Sequence, residues 1–138
     1  MTHEIKSIVQ GYLNATHLGL ECVIATVVDL DGSSYRRPGV RMLITEHGQM
    51  TGAVSGGCVE KEILKQSHSV FSSGVAKMMT YDGRYRLGCE GTLYILIEKF
   101  KPSKEFLNAF DDAVKERNSF EITSTYLRTD GEHSELGS

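Results

Sequence analysis

Val23-Ile24-Ala25-Thr26-Val27-Val28 and Leu93-Tyr94-Ile95-Leu96-Ile97 decide the fold. Each is a nearly unbroken apolar run, rich in β-branched and aromatic residues, and lacks the in-out alternation of a half-exposed strand. Such runs read as strands buried on both faces. They require helices packed on the sheet, and the sequence on either side supplies them. Ile5, Ile8, Val9, Tyr12 and Leu13 recur at helical spacing, with Leu18-Gly19 as the stop. Ser55-Gly56-Gly57-Cys58 leads into a second helix with Val59, Ile63, Leu64 and Val70 on its inner face and Gly74 at its end. A third helix starts at Pro102-Ser103, with Ser103 as its cap and Phe106, Leu107, Phe110 and Val114 as its stripe.

Shorter strands fill the intervals. Arg41–Thr45 and Met50–Val54 flank Glu46-His47-Gly48-Gln49 as a β-hairpin, and Lys77–Tyr81 forms a strand closed by Asp82-Gly83. Asp29–Gly32 reads as a turn, Phe120–Thr123 with Thr125–Leu127 as a last strand, and residues 129–138 as a polar tail. The fold class expected is α/β in the broad sense (α+β). It is a single domain over residues 1–128, a mixed β-sheet with about three packed helices.

Composition narrows the functional classes. The 138 residues are 40% hydrophobic and 24% charged, values of an ordinary globular domain. Three cysteines without a CxxC spacing argue against a secreted disulfide framework and for a reducing, cytoplasmic setting. No apolar stretch reaches the roughly 18 residues of a membrane span. The net charge of −3 divides unevenly. Residues 32–91 hold eight lysines or arginines against five acids, and the remainder seven against thirteen. A chain acidic overall does not suit nucleic acid. A local cluster of Arg36, Arg37, Arg41, Arg84 and Arg86 among glycines suits a small anion.

Three glycine-bearing segments are candidates for chemistry. In Ser55-Gly56-Gly57-Cys58-Val59-Glu60, two glycines precede a helix start, whose unpaired N–H groups and dipole attract anions. Cys58 falls in that first turn, where a thiolate is favoured; the alternative is a small cysteine packed at a corner. Glu60 either satisfies the helix dipole or faces a ligand amine. Gly32-Ser33-Ser34-Tyr35-Arg36-Arg37-Pro38-Gly39 offers hydroxyls and guanidinium forks for phosphate, or else a solvated turn with exposed arginines. Arg41 begins a strand, and its direction is open at this level. In Leu87-Gly88-Cys89-Glu90-Gly91, Cys89 is either a strand-entry core residue or part of the same site. If Cys58 and Cys89 serve one ligand, they should flank a single cleft, with Cα atoms within about 12 Å. Cys22 reads as core. The P-loop, GxGxxG and GxSxG spacings are missing, and the five histidines form no HxxxH pair.

Taken together and in order, these segments resemble the XdhC/CoxI family. Gly32-Ser33-Ser34, Arg37-Pro38-Gly39 and Arg41-Met42-Leu43 are similar to its N-terminal signature, Ser55-Gly56-Gly57-Cys58-Val59-Glu60 to its SGGCVE motif, and Gly88-Cys89-Glu90-Gly91 to its GCGG motif. Tyr35 and Glu90 depart from the usual proline and glycine. The resemblance implies an accessory protein that binds the molybdenum cofactor, protects it and delivers it to a molybdenum hydroxylase apo-enzyme such as xanthine dehydrogenase, without turnover of its own. A cysteine desulfurase is a further implied partner, and a homodimer a further option. It also implies that the family's C-terminal Rossmann-type domain is absent from these residues. Within it, Gly32, Ser33, Ser34, Arg37, Gly39, Arg41, Ser55, Gly56, Gly57, Cys58, Glu60, Gly88, Cys89 and Gly91 are the cofactor-binding candidates, with Cys58 as a soft ligand for molybdenum. The competing functions are a sulfur relay through Cys58 and Cys89, and a module that docks on the apo-enzyme without touching the cofactor.

Overall fold

The two apolar runs pair with each other. They lie in β1 (Cys22–Gly32) and β5 (Gly91–Lys99), which run antiparallel from Val23 opposite Lys99 to Gly32 opposite Gly91. The computed structural model describes residues 2–32, 39–52, 58–82, 91–116 and 131–132. The other elements are α1 (Thr2–His17), β2 (Arg41–Thr45), β3 (Met50–Gly52), α2 (Cys58–Ser73), β4 (Lys77–Asp82), α3 (Lys104–Glu116) and β6 (Gly131–Glu132). The strands form one sheet in the order β3-β2-β1-β5-β4-β6.

Every described pairing is antiparallel, so the α+β class holds while the mixed sheet expected from sequence is corrected. The reason is physical. Both faces of the central strands are covered, which erases the alternation that normally marks an antiparallel strand. On one face α2 contributes Val59, Ile63 and Val70 to a cluster with Val23, Ala25 and Val27 of β1 and Leu93, Ile95 and Ile97 of β5. On the other, α1 packs Ile8 and Ala15 against Cys22, Ile24 and Leu43. Ile5 and Val9 of α1 meet Phe110 of α3, and Tyr12, Phe100 and Phe106 stack edge to face, with centroids 5.3 and 6.5 Å apart.

Local chemistry sets the ends. Gly19, at φ 75°, closes α1 in a Schellman turn, with Leu20 N–H donating to the Ala15 carbonyl and Gly19 N–H to that of Thr16. The Ser103 hydroxyl accepts from Phe106 N–H at 3.1 Å, the cap expected of it. Between β2 and β3, Gly48 N–H donates to the Thr45 carbonyl, as the hairpin reading requires. The expected last strand at 120–127 lies outside the described residues. Gly131–Glu132, within the stretch read as a polar tail, pairs with Lys77–Met78. Two residues on a sheet edge need no apolar pattern to be there.

Asp29–Gly32 does not turn; β1 continues through it. Two irregularities at one point make that possible. The pairing of β1 with β5 shifts by one residue between Val27 and Asp29, so Val28 is an insertion. Its effect shows in the packing: Val23, Ala25 and Val27 face α2 before the shift, and Leu30 faces it after. On the opposite edge, Val27 N–H donates to the Val40 carbonyl at 2.9 Å while Gly39 N–H donates to the Val27 carbonyl at 2.7 Å. Two residues thus oppose one. With Gly39 at φ 99°, this is a glycine bulge of the kind that needs a left-handed residue.

Gly52 carries a comparable constraint. It has φ 86°, and a Cβ there would sit 2.9 Å from the Arg41 carbonyl oxygen, which is backbone and cannot swing away. Gly52→Ala should therefore cost on the order of 2–4 kcal/mol of unfolding free energy, strain and clash together. Chemical denaturation of the two proteins checks this; a loss under about 0.5 kcal/mol would mean that β3 can shift away from β2 without penalty.

Candidate functional site

The register of the sheet gathers the bases of all three motif segments at one end. Gly32 at the end of β1 faces Gly91 at the start of β5, Asp82 at the end of β4 faces Thr92, and Gly52 at the end of β3 faces Met42 near the start of β2. Residues 33–38, 53–57 and 83–90 depart from this end, and α2 begins there at Cys58. Ser33, Ser34, Arg37, Ser55, Gly56, Gly57, Gly88 and Cys89 themselves lie outside the described residues, as does the expected Cys58–Cys89 separation. Gly32, Gly39, Arg41, Cys58, Glu60 and Gly91 are placed. Cys58 is the first residue of α2, so the sequence position that motivated its choice is its position in the helix.

Glu60 follows in the first turn of α2 and is buried, 7% exposed. A carboxylate in a first turn sits favourably in the helix dipole. Arg41 is also buried, at 7%. It is the first residue of β2, as the sequence suggested, paired with Thr26 of β1, and it shares the face of Leu43. Its Nη1 donates to the Gly39 carbonyl at 2.8 Å, back toward the segment that precedes it. Sequence left that direction open; the bulge at Gly39 sets it.

Two neighbours were not singled out from sequence. Gly52 carried a usable signal, a glycine inside a strand pattern, which often marks close backbone approach. Thr26, opposite Arg41, carried none. Its side chain is 2% exposed, and its hydroxyl has no hydrogen-bond partner among the described residues. Elsewhere, a groove of about 750 Å³ lies between α1 and α3, lined by Val9, Gln10, Leu107 and Phe110 among others. It includes none of the candidate residues. No group of three His, Cys, Asp or Glu side chains that could hold a metal occurs among the described residues. No described helix is long and apolar enough to cross a membrane.

Cys22 lies in the core, as the sequence suggested. It is buried among Ile8, Ala15, Ile24 and Leu43, and burial, with a smaller contribution from the Glu46 carboxylate, pushes its thiol from 9.0 to about 11. The folded state thus keeps this thiol neutral where the unfolded chain would ionise it. Stability from this group is complete below about pH 9 and is lost as pH rises toward 11. Cys22→Ala should show a shallower fall in unfolding free energy between pH 9 and 11 than the unsubstituted chain. Equal slopes in denaturation curves across that window would remove Cys22 as the titrating group.

Comparison with known proteins agrees with the family resemblance read from the sequence. Residues 15–82 match the XdhC and CoxI family. The chain is 30% identical over 92 residues to a probable xanthine dehydrogenase subunit of Bacillus subtilis, covering 61% of this chain and 28% of that protein. It is 27% identical over 112 residues to the molybdenum cofactor insertion chaperone PaoD of Escherichia coli, covering 78% of this chain and 35% of that one. The crystal structure of a xanthine dehydrogenase from Bacillus halodurans superposes with a TM-score of 0.65 at 25% identity, over 79% of this chain and 35% of that chain. The chain thus spans about a third of the length of the relatives it matches.

Proposed function

Because the chain belongs to the XdhC/CoxI family, we propose that it is an accessory protein that holds the molybdenum cofactor and passes it to a molybdenum hydroxylase apo-enzyme. The observation that supports this most directly is topological. One end of the sheet carries the bases of the three motif segments and the N-terminus of α2. The relative named as an insertion chaperone for this cofactor agrees with the reading.

The cargo is a pterin dithiolene with a phosphate tail, and it presents three kinds of group. Phosphate calls for N–H donors, hydroxyls and a guanidinium fork; in this proposal Ser33, Ser34, Arg37 and the N–H groups of Ser55, Gly56 and Gly57 supply them. The amide edge of the pterin calls for an acceptor, and Glu60, buried in the first turn of α2, is the proposed one. Molybdenum in this cofactor takes soft sulfur donors, and Cys58 is the proposed thiolate, favoured by its place at the positive end of a helix. Gly88, Cys89 and Gly91 are the proposed contributors from the third segment, and Gly32 and Gly39 those at the two ends of the first. The role is carriage, with no bond in the cargo broken by this chain.

Gel filtration after incubation with the isolated cofactor should show molybdenum and pterin co-eluting with the protein in near-equal amount. Arg37→Ala should weaken retention by on the order of tenfold, the cost of one charge-assisted contact. Cys58→Ala should lower the retained molybdenum further than the retained pterin. Protein that emerges free of both, at cofactor concentrations that saturate a molybdenum hydroxylase, would exclude the carrier role.

A further inference from the structure

Arg41 sits where two motif segments are anchored. Gly39 follows the first segment, residues 33–38, and Gly52 precedes the second, residues 53–57; Arg41 touches both glycines. Its Nη1 donates to the Gly39 carbonyl at 2.8 Å, and its own carbonyl lies so close to Gly52 that a Cβ there would be 2.9 Å away. The bulge explains why a side chain is needed at all. Gly39 N–H is spent on the Val27 carbonyl, and Val27 N–H is spent on the Val40 carbonyl. The Gly39 carbonyl accepts no backbone hydrogen bond among the described residues, so the guanidinium provides the partner that the ladder does not. A charged donor on a neutral carbonyl, at a site only 7% exposed, is a strong contact that solvent screens little.

We propose that Arg41 is a positioning residue: it braces the glycine bulge at Gly39 through its side chain, seats Gly52 against its main chain, and so fixes the spacing of the two segment bases. This rests on the carrier reading for its functional consequence, and on the geometry alone for the brace itself. It reassigns Arg41 from phosphate ligand to support, leaving Arg37 as the arginine of the first segment that meets the cargo. A brace and a ligand differ in what they require. The brace needs a donor in the right place and no net charge on the cargo. A phosphate ligand needs the charge.

Three variants of the full chain separate them: Arg41→Met removes the donor, Arg41→Gln keeps a neutral donor, and Gly39→Ala strains the bulge without removing any charge. Amide hydrogen exchange, which requires no cofactor, reads the brace. In Arg41→Met the Gly39 and Val27 amides should exchange at least tenfold faster while the Ala25 amide keeps its rate. Arg41→Gln should restore part of the protection, and Gly39→Ala should reproduce the Arg41→Met pattern even if that variant folds poorly. Retention of the isolated molybdenum cofactor should weaken in Arg41→Met with the salt dependence of binding unchanged, since no phosphate contact is lost. Unchanged exchange at Gly39 and Val27 would overturn the proposal, as would a uniform rise along β1 and β2. Unchanged exchange with a flattened salt dependence would return Arg41 to the phosphate. If the unsubstituted chain binds no cofactor, the carrier reading fails while the exchange result still decides the brace.

Discussion

The antiparallel ladder between β1 and β5 is the constraint on which the other elements depend. It joins residues 22–32 to residues 91–99, so the centre of the sheet is closed by segments some 60–75 positions apart in sequence. Both strands are covered on two sides, and the helices owe their positions to that. α2 lies across Val23, Ala25, Val27, Ile95 and Ile97, while α1 lies across Ile24 and Leu43. At 16 residues each, both helices are marginal alone in water, and each is held by the strand surface it covers. Contacts this distant in sequence must bear the entropy of loop closure before they return any stability. The hairpin of β2 and β3 can form early and locally, but it has a complete sheet to join only once β5 is in place.

The same ladder places the candidate site. Antiparallel order alternates the direction of successive strands, so the ends of β1, β3 and β4 and the starts of β2 and β5 fall at one end of the sheet. The site proposed above, drawn from three short glycine-bearing segments, needs such a common base. No segment could form it alone, since each is separated from the next by a strand pair or by a helix and strand. Rigid elements with short variable segments at one end are a common way to hold a ligand while leaving the core undisturbed.

Much of this was legible in the residues, for identifiable reasons. Helix periods at Ile5–Leu13 and Phe106–Phe110, the Gly19 stop and the Ser103 cap are local signals, written within a few positions of where they act. The site candidates were legible as a motif order rather than as a geometry: Cys58 at a helix start is visible in two preceding glycines. Strand direction was not legible, because burial on both faces removes the alternation that would have marked antiparallel pairing. Nor was the continuation of β1 through Asp29–Gly32, where acids and glycine suggest a turn. That stretch stays in the sheet because Val28 bulges against β5 and Gly39 bulges against β1, and both events depend on partners remote in sequence. The direction of the Arg41 side chain was left open by the sequence for the same reason. Its burial follows from a bulge two residues earlier, which composition does not announce.

The described sheet ends in two small strands, and their size has a consequence for behaviour at high concentration. β3 has three residues and β6 two. Gly52, in left-handed conformation, ends β3, and Gly131, at φ 115°, begins β6. A strand exposed at an edge is a template for a second molecule, and its hazard grows with length and flatness. Here the long apolar strands, β1 and β5, occupy the interior of the order, and the described edge strands are short. Among the described residues, the longest apolar strands are thereby enclosed rather than presented at an edge.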